Sequence, residues 1–600
     1  MDTHAISSSE ANRKWAKAAW TRALERTSPI LRNGLNLPLL VEQLGERFGA
    51  APALIDDGET LSYRELADRA HGYARWALDR GLRAGDVVCV FMPNCADYLA
   101  LWLGITRVGC VAALVNTNLV GASLAHAITV ASPRHVVVDA TLAEPFLTAL
   151  PHIQSAIRYW AHGGPIQGFP SIEQAISDCD GEAPRLASDR APNLRSPALL
   201  LYTSGTTGLP KAAKVSHFRI LQWSYWFAGL MNSGPSDRMY DCLPMYHSVG
   251  GIVATGAMLV SGGSVVLRPR FSASRFWDEI VAWDCTLFQY IGELCRFLVQ
   301  SPAHPLETAH RLRLCAGNGL RPDIWKAFEQ RFGIPRILEF YAATEGSFAL
   351  YNCEGEPGSI GRIPSFLPQH SQVALVRFDV AAGAPIRGDD GFCIPCAANE
   401  VGEAIGRLES GSQSGGSFEG YTDPDATERK VLRDVFAHGD AWFRTGDLMR
   451  KDERGFFYFI DRAGDTFRWK GENVSSQQVA EVLAACPGIV EAVAYGVTVP
   501  GTEGRAGMAA LVIDQSFTLD ALREFLAERL PHYARPVFVR LCESVEVTST
   551  FKPQKQELVR ESYDPAATSD PIFVADDARR SFVRVDADLY ARIRRSEIRF

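Results

Sequence analysis

Between Tyr202 and Lys211 the chain reads Tyr-Thr-Ser-Gly-Thr-Thr-Gly-Leu-Pro-Lys, small hydroxyl residues and two glycines set between an apolar run (198–201) and a proline. Glycine takes positive φ and lets backbone approach a ligand closely. The N–H groups and hydroxyls of Thr203, Ser204, Gly205, Thr206, Thr207 and Gly208 can wrap a polyphosphate, and Lys211 adds positive charge. A plain solvated turn has the same composition. The loop is not a P-loop: Gly205 and Gly208 stand too close, and Pro210 separates the second glycine from Lys211.

Further patterns follow in order. Pro244-Met-Tyr-His-Ser248 places His247 among apolar residues, where a satisfied core histidine is the plain alternative. An apolar strand ends in Gly317-Asn318-Gly319, a flat turn that can lie against an adenine ring. Then come Glu339-Phe-Tyr-Ala-Ala-Thr-Glu-Gly346, Phe443-Arg-Thr-Gly-Asp447, Phe467-Arg-Trp-Lys-Gly-Glu-Asn-Val474 and Thr548-Ser-Thr-Phe-Lys552.

This set, in this order, resembles the adenylate-forming superfamily, which contains acyl-CoA synthetases, luciferases and peptide-synthetase adenylation domains. The resemblance implies that an acid oxygen attacks the α-phosphorus of ATP and pyrophosphate leaves. Tyr341 would stack on the base, with Ala342 and Ala343 beside it; Thr344 would bind phosphate and Glu345 would hold Mg2+. Ala342 stands where the wider superfamily has glycine, which narrows the backbone approach by one methyl. Asp447, an acceptor-only carboxylate, would take both ribose hydroxyls, with Arg462 as the second ribose contact. His247 would border the carboxylate pocket. Lys552 would bridge carboxylate and α-phosphate, with Lys555 as its rival because Phe551 replaces the usual glycine. Lys470, Gly471 and Glu472 would form the thioester segment, where Gly471 lets a pantetheine arm pass, and Gly464 would be the hinge on which the small domain turns between the two half-reactions.

The stretch 461–475, the loop 204–213, Phe551 and the ending 589–600 look like the fatty-acid transport protein / very-long-chain acyl-CoA synthetase branch. That branch implies a fatty acid as substrate and CoA as acceptor, with ATP and Mg2+. Two alternatives stay open: another acid (sterol-derived or aromatic) or a carrier-protein acceptor, and a non-catalytic protein that only binds fatty acid. Intact Glu345, Asp447 and Lys552 speak against the last.

Six hundred residues exceed one core. Strands expected at 86–91, 110–115, 134–139, 264–268, 286–290 and 313–316 alternate with helices such as 62–80 and 95–108, which implies an α/β fold with parallel sheet. The resemblance sharpens this to a large N-terminal domain (1–461) of stacked mixed β-sheets flanked by helices with a small β-barrel-like subdomain, and a small mobile α+β C-terminal domain (462–600). The region 411–417 reads as a flexible loop.

A net charge of −8 argues against nucleic acid as a partner. Thirteen cysteines scattered in apolar segments fit reduced thiols in the cytoplasm, and Cys393-Ile-Pro-Cys396 has no second pair for zinc. The first nine residues lack the apolar core of a signal peptide, and the uncharged stretches 108–133 and 242–267 read as buried core. Residues 10–28 form a basic helix stopped by Pro29, which either packs on its own domain or makes peripheral contact with a membrane. The aromatics Trp223, Tyr225, Trp226 and Phe227 either line an acyl tunnel or fill a helix core. A homodimer is left open.

Overall fold

The structure is a computed structural model. It describes all residues except 1–2, 155, 178–182, 185, 187–190, 205–209, 344, 346–348, 368–371, 409–417, 503, 549–551 and 599, and the side chains of 3–9, 33 and 204. Gly205, Thr206, Thr207, Gly208, Thr344 and Phe551 therefore lie outside the described residues. Two compact units emerge: 1–364 with 408–431, and 365–407 with 432–600. The part expected to move, from 462 on, lies within the second unit.

The first unit holds two sheets, parallel but for their edges. One runs in spatial order Ala349–Asn352, Ile337–Ala342, Leu314–Asn318, Leu287–Ile291, Arg238–Asp241, Ser264–Leu267, Pro52–Ile55, Thr60–Ser62. The other runs Arg158–His162, His135–Asp139, Val87–Phe91, Val111–Leu114, Pro197–Ser204, Pro210–Ser216. Inner strands such as Val111–Leu114 and His135–Asp139 are buried along their whole length, so they read as continuous apolar runs with no alternation. The helix Tyr63–Asp79 starts at a capping box: the Ser62 hydroxyl accepts from Glu65 N, and the Glu65 carboxylate accepts from Ser62 N at 2.8 Å. It packs on Ala96–Arg107 so closely that a Cβ on Gly104 would lie 2.4 Å from the Ala70 carbonyl oxygen.

The basic helix, Thr3–Thr27, packs within its own unit, along the helix His217–Met231. Arg22 Nε donates to the Gly229 carbonyl at 3.1 Å and Arg26 Nη2 to that of Ser233 at 2.9 Å. Trp20 meets Trp226 and Tyr351 edge-on, and Phe227 packs on Phe340 and Tyr351, so these aromatics serve a helix core. No helix among the described residues is long and apolar enough to cross a membrane.

In the second unit, Ala384–Pro385, Val373–Asp379, Val401–Leu408, Ala441–Lys451 and Val431–Arg433 form one curved sheet, with Phe457–Arg462 paired to Ala441–Lys451. After it comes the ribbon Phe467–Trp469/Glu472–Val474 and a five-stranded sheet ordered Ile489–Val497, Ala506–Ile513, Phe538–Cys542, Ile572–Asp576, Ser581–Arg584. Phe467, Trp469, Leu483, Leu522 and Phe538 share one core, and Phe600 closes it against Phe538. The described cysteines are free thiols. Cys393 N and Cys396 N donate to the carbonyls of Val435 and Leu375, which holds the Cys-x-x-Cys run in sheet.

Candidate active site

In parallel sheets ligands bind beyond the carboxyl ends of the strands, and that is where the first unit places its candidates. Thr203 and Ser204 end one strand, and Thr203 pairs with Lys211 on the next. Gly317 and Asn318 end a strand of the other sheet, and Gly319 follows at φ +80°. Tyr341 and Ala342 end its neighbour, with Ala343 and Glu345 beyond. His247 follows the end of Arg238–Asp241.

Three buried side chains the sequence did not single out fix these ends. Glu339, the first residue of its motif, accepts from Gly319 N, from Leu320 N at 3.1 Å and from Tyr290 Oη at 2.6 Å, so one carboxyl group locks the Gly-Asn-Gly turn to the Tyr341 strand. Burial pushes that carboxyl up to about 8. Asn94 donates to the carbonyls of Leu243 (2.8 Å) and Arg268 (3.0 Å) and accepts from Met245 N (2.8 Å), pinning the loop that carries His247. Gly250 and Gly251 admit that loop: a Cβ on Gly251 would lie 2.1 Å from the Met245 carbonyl oxygen. Tyr421 donates to Glu345 Oε1 at 2.5 Å. Burial, then the neighbouring Glu345, hold its phenol far above the usual range, so it stays an O–H donor. Arg219, also buried, lies within electrostatic reach of Glu419 and Glu345.

The Asn318 Oδ1 atom is buried without a hydrogen-bond partner, an acceptor that an exocyclic amine would satisfy. Glu345, 9% exposed, offers a hard oxygen ligand. Mg2+ needs only one or two carboxylates beside phosphates and water. Among the described residues no group of three or more His, Cys, Asp or Glu gathers round a metal position.

In the second unit every residue of Phe443-Arg-Thr-Gly-Asp447 aims the last one. Arg444 forks onto the fully buried Glu403 at 2.7–3.1 Å. Thr445 Oγ1 donates to the Ala404 carbonyl at 2.7 Å and accepts from Asp447 N at 3.0 Å, and Gly446 sits at φ +77°. Asp447 pairs in register with Arg462, whose Nε lies 3.9 Å from Asp447 Oδ1. Lys552 lies within electrostatic reach of both: its ammonium is pushed down to about 8, first by desolvation and then by Arg462, with Asp447 opposing. The Lys552 backbone is clipped to Thr548, donating to Oγ1 at 3.0 Å. Lys555 is otherwise engaged, donating to Asp465 Oδ2 (3.1 Å) and Ser476 Oγ (2.8 Å).

Lys470 and Gly471 have φ of +50° and +84°, the two positive values of a tight type I′ hairpin turn, and with Glu472 they form an exposed tip. Gly464 lies in a turn in which Asp465 N and Thr466 N both donate to the Arg462 carbonyl at 3.0 Å. Neither a left-handed φ nor a close neighbour demands glycine at that position.

A family model described as AMP-binding enzyme matches residues 41–391, and one described as AMP-binding enzyme C-terminal domain matches 478–552. The chain belongs to the AMP-binding enzyme family. Within it, this chain is similar to long-chain fatty acid transport protein 1 of Mus musculus (38% identical over 570 residues, 94% of this chain and 88% of that protein). It is also similar to long-chain fatty acid transport protein 5 of Homo sapiens (40% over 546 residues, 88% and 78%). Among solved structures, ATP-bound MatB from Rhodopseudomonas palustris aligns with a TM-score of 0.73 at 25% identity, covering 89% of this chain and all of that one. The anthranilate CoA ligase AuaEII with anthranoyl-AMP shares the fold (TM-score 0.75, 20% identity, 89% of this chain and 98% of that one).

Proposed function

We propose that this AMP-binding enzyme is an AMP-forming ligase that joins a long-chain or very-long-chain fatty acid to CoA. The observation that supports the chemistry is the pairing of Arg462 with Asp447, a carboxylate suited to ribose, within electrostatic reach of the Lys552 ammonium. The fatty acid comes from the likeness to long-chain fatty acid transport proteins.

In the first half-reaction an acid oxygen attacks the α-phosphorus of ATP and the bond to pyrophosphate breaks. The Thr203–Gly208 loop and Lys211 hold the phosphates, and Asp447 and Arg462 hold the ribose. Tyr341 and the Gly317–Gly319 turn hold the base, and His247 borders the acid. Lys552 sets an ammonium where negative charge grows. Mg2+, held by Glu345, offsets phosphate charge when bound. In the second half-reaction the CoA thiol, losing its proton, attacks the acyl carbonyl and AMP leaves. Gly464 turns the 462–600 part so that the Lys470–Glu472 tip replaces Lys552; a glycine that its own conformation does not require suits a joint.

ATP–pyrophosphate exchange over a panel of acids, followed by free CoA as acceptor, tests this reading. Fatty-acid-dependent exchange and acyl-CoA formation are expected. Exchange with sterol-derived or aromatic acids alone would move the substrate class. Fatty-acid binding without AMP release would favour the non-catalytic reading that the relatives' name, transport protein, invites.

A further inference from the structure

The segment around Tyr421 returns to the first unit and pairs with the edge of Pro210–Ser216. Lys214 N donates to the Gly420 carbonyl at 3.0 Å, Thr422 N donates to that of Ala212 at 2.9 Å, and Tyr421 bridges Ala213. Tyr421 N in turn donates to Thr427 Oγ1 at 2.9 Å. This fixes the tyrosine backbone from both sides. The ring packs with Phe418, Ala213 and Ala426 and is 4% exposed. A phenylalanine would fill that packing equally well. The hydroxyl does something more: it spans 76 residues of sequence to donate to Glu345 Oε1.

A carboxylate has about four lone-pair directions, and a charge-assisted bond to one oxygen sets the plane of the group. The remaining directions are then fixed before any ligand arrives. We propose that Tyr421 is a positioning residue that holds the Glu345 carboxylate in the orientation that takes Mg2+. The proposal rests on reading Glu345 as the Mg2+ carboxylate.

The test is binding of a fluorescent trinitrophenyl-ATP to the full-length protein while Mg2+ is titrated, for wild type, Tyr421→Phe and Glu345→Gln. Partners that orient a metal ligand typically contribute 10–100-fold to metal affinity, so Tyr421→Phe should raise the Mg2+ midpoint about tenfold. Binding in EDTA and the melting temperature should hardly change. If Tyr421→Phe leaves the midpoint in place while Glu345→Gln moves it, the Glu345 reading stands and the tyrosine proposal falls. If neither moves it, both fall. If Tyr421→Phe weakens binding equally in EDTA, the tyrosine is a packing residue and the proposal is overturned.

Discussion

Glu345 and Tyr421 are joined by a hydrogen bond beyond the ends of parallel strands, and both are buried. Lys552, Lys470, Gly471 and Glu472 are exposed on turns of the second unit. The first group is preorganised: its dipoles are already aimed and need no rearrangement when charge develops. The second group has its backbone fixed and its side chains presented to solvent, which suits parts that take turns at one substrate. The difference sets a buried, hydrogen-bonded carboxylate in the first unit against exposed side chains on turns in the second.

The largest effect expected is from Lys552→Ala. Acid-dependent ATP–pyrophosphate exchange should fall by about 10²–10³-fold, the scale of losing one preorganised charge contact, while thioester formation from supplied acyl-AMP stays within a few-fold. Equal loss of both steps would break the division between the two regions. Gly471→Val is the mirror case. A β-branched residue at φ +84° distorts the hairpin tip, so thioester formation should drop by about 10²-fold with exchange largely kept.

A pH profile sharpens the role of the lysine. The ammonium is the working form, so exchange should be full below about 8 and decline as pH rises through the Lys552 value of about 8. Lys552→Arg should carry the limb out of range, and a limb that stays put would assign it to another group. The smallest effect belongs to Lys555→Ala. Its ion pair with the half-exposed Asp465 makes it a local strut worth about 1 kcal/mol, seen as a lower melting temperature with exchange within tenfold of wild type. A loss equal to that of Lys552→Ala would transfer the catalytic role to Lys555.

The sequence discloses what is contiguous. The strands expected at 86–91 and 134–139 and the helices at 62–80 and 95–108 fall within a residue or two of their expected bounds, because local pattern and burial agree, whereas the leading helix starts at Thr3, seven residues before its expected start. The motifs carrying Thr203, Glu345 and Asp447 are legible for the same reason. Tyr421 and Asn94 are not: their partners lie 76 and 149 residues away, and only the tertiary pairing of Gly420–Thr422 with the Pro210–Ser216 strand, or the stacking of two sheets, selects them. Glu339 was visible within its motif, but its hold on the Gly317–Gly319 turn depends on two parallel strands lying side by side.

The meeting of Ala23 and Gly229 reaches beyond the chemistry. A methyl on Gly229 would stand 2.5 Å from the Ala23 Cα, so the two helices touch backbone to backbone. The leading helix thereby acts as an outer wall for Trp226 and Tyr351. A shortened chain starting after Pro29 would turn those rings toward water as an adhesive face, the kind of surface that drives self-association. Trimming this end for convenience would therefore trade a tail for a solubility problem.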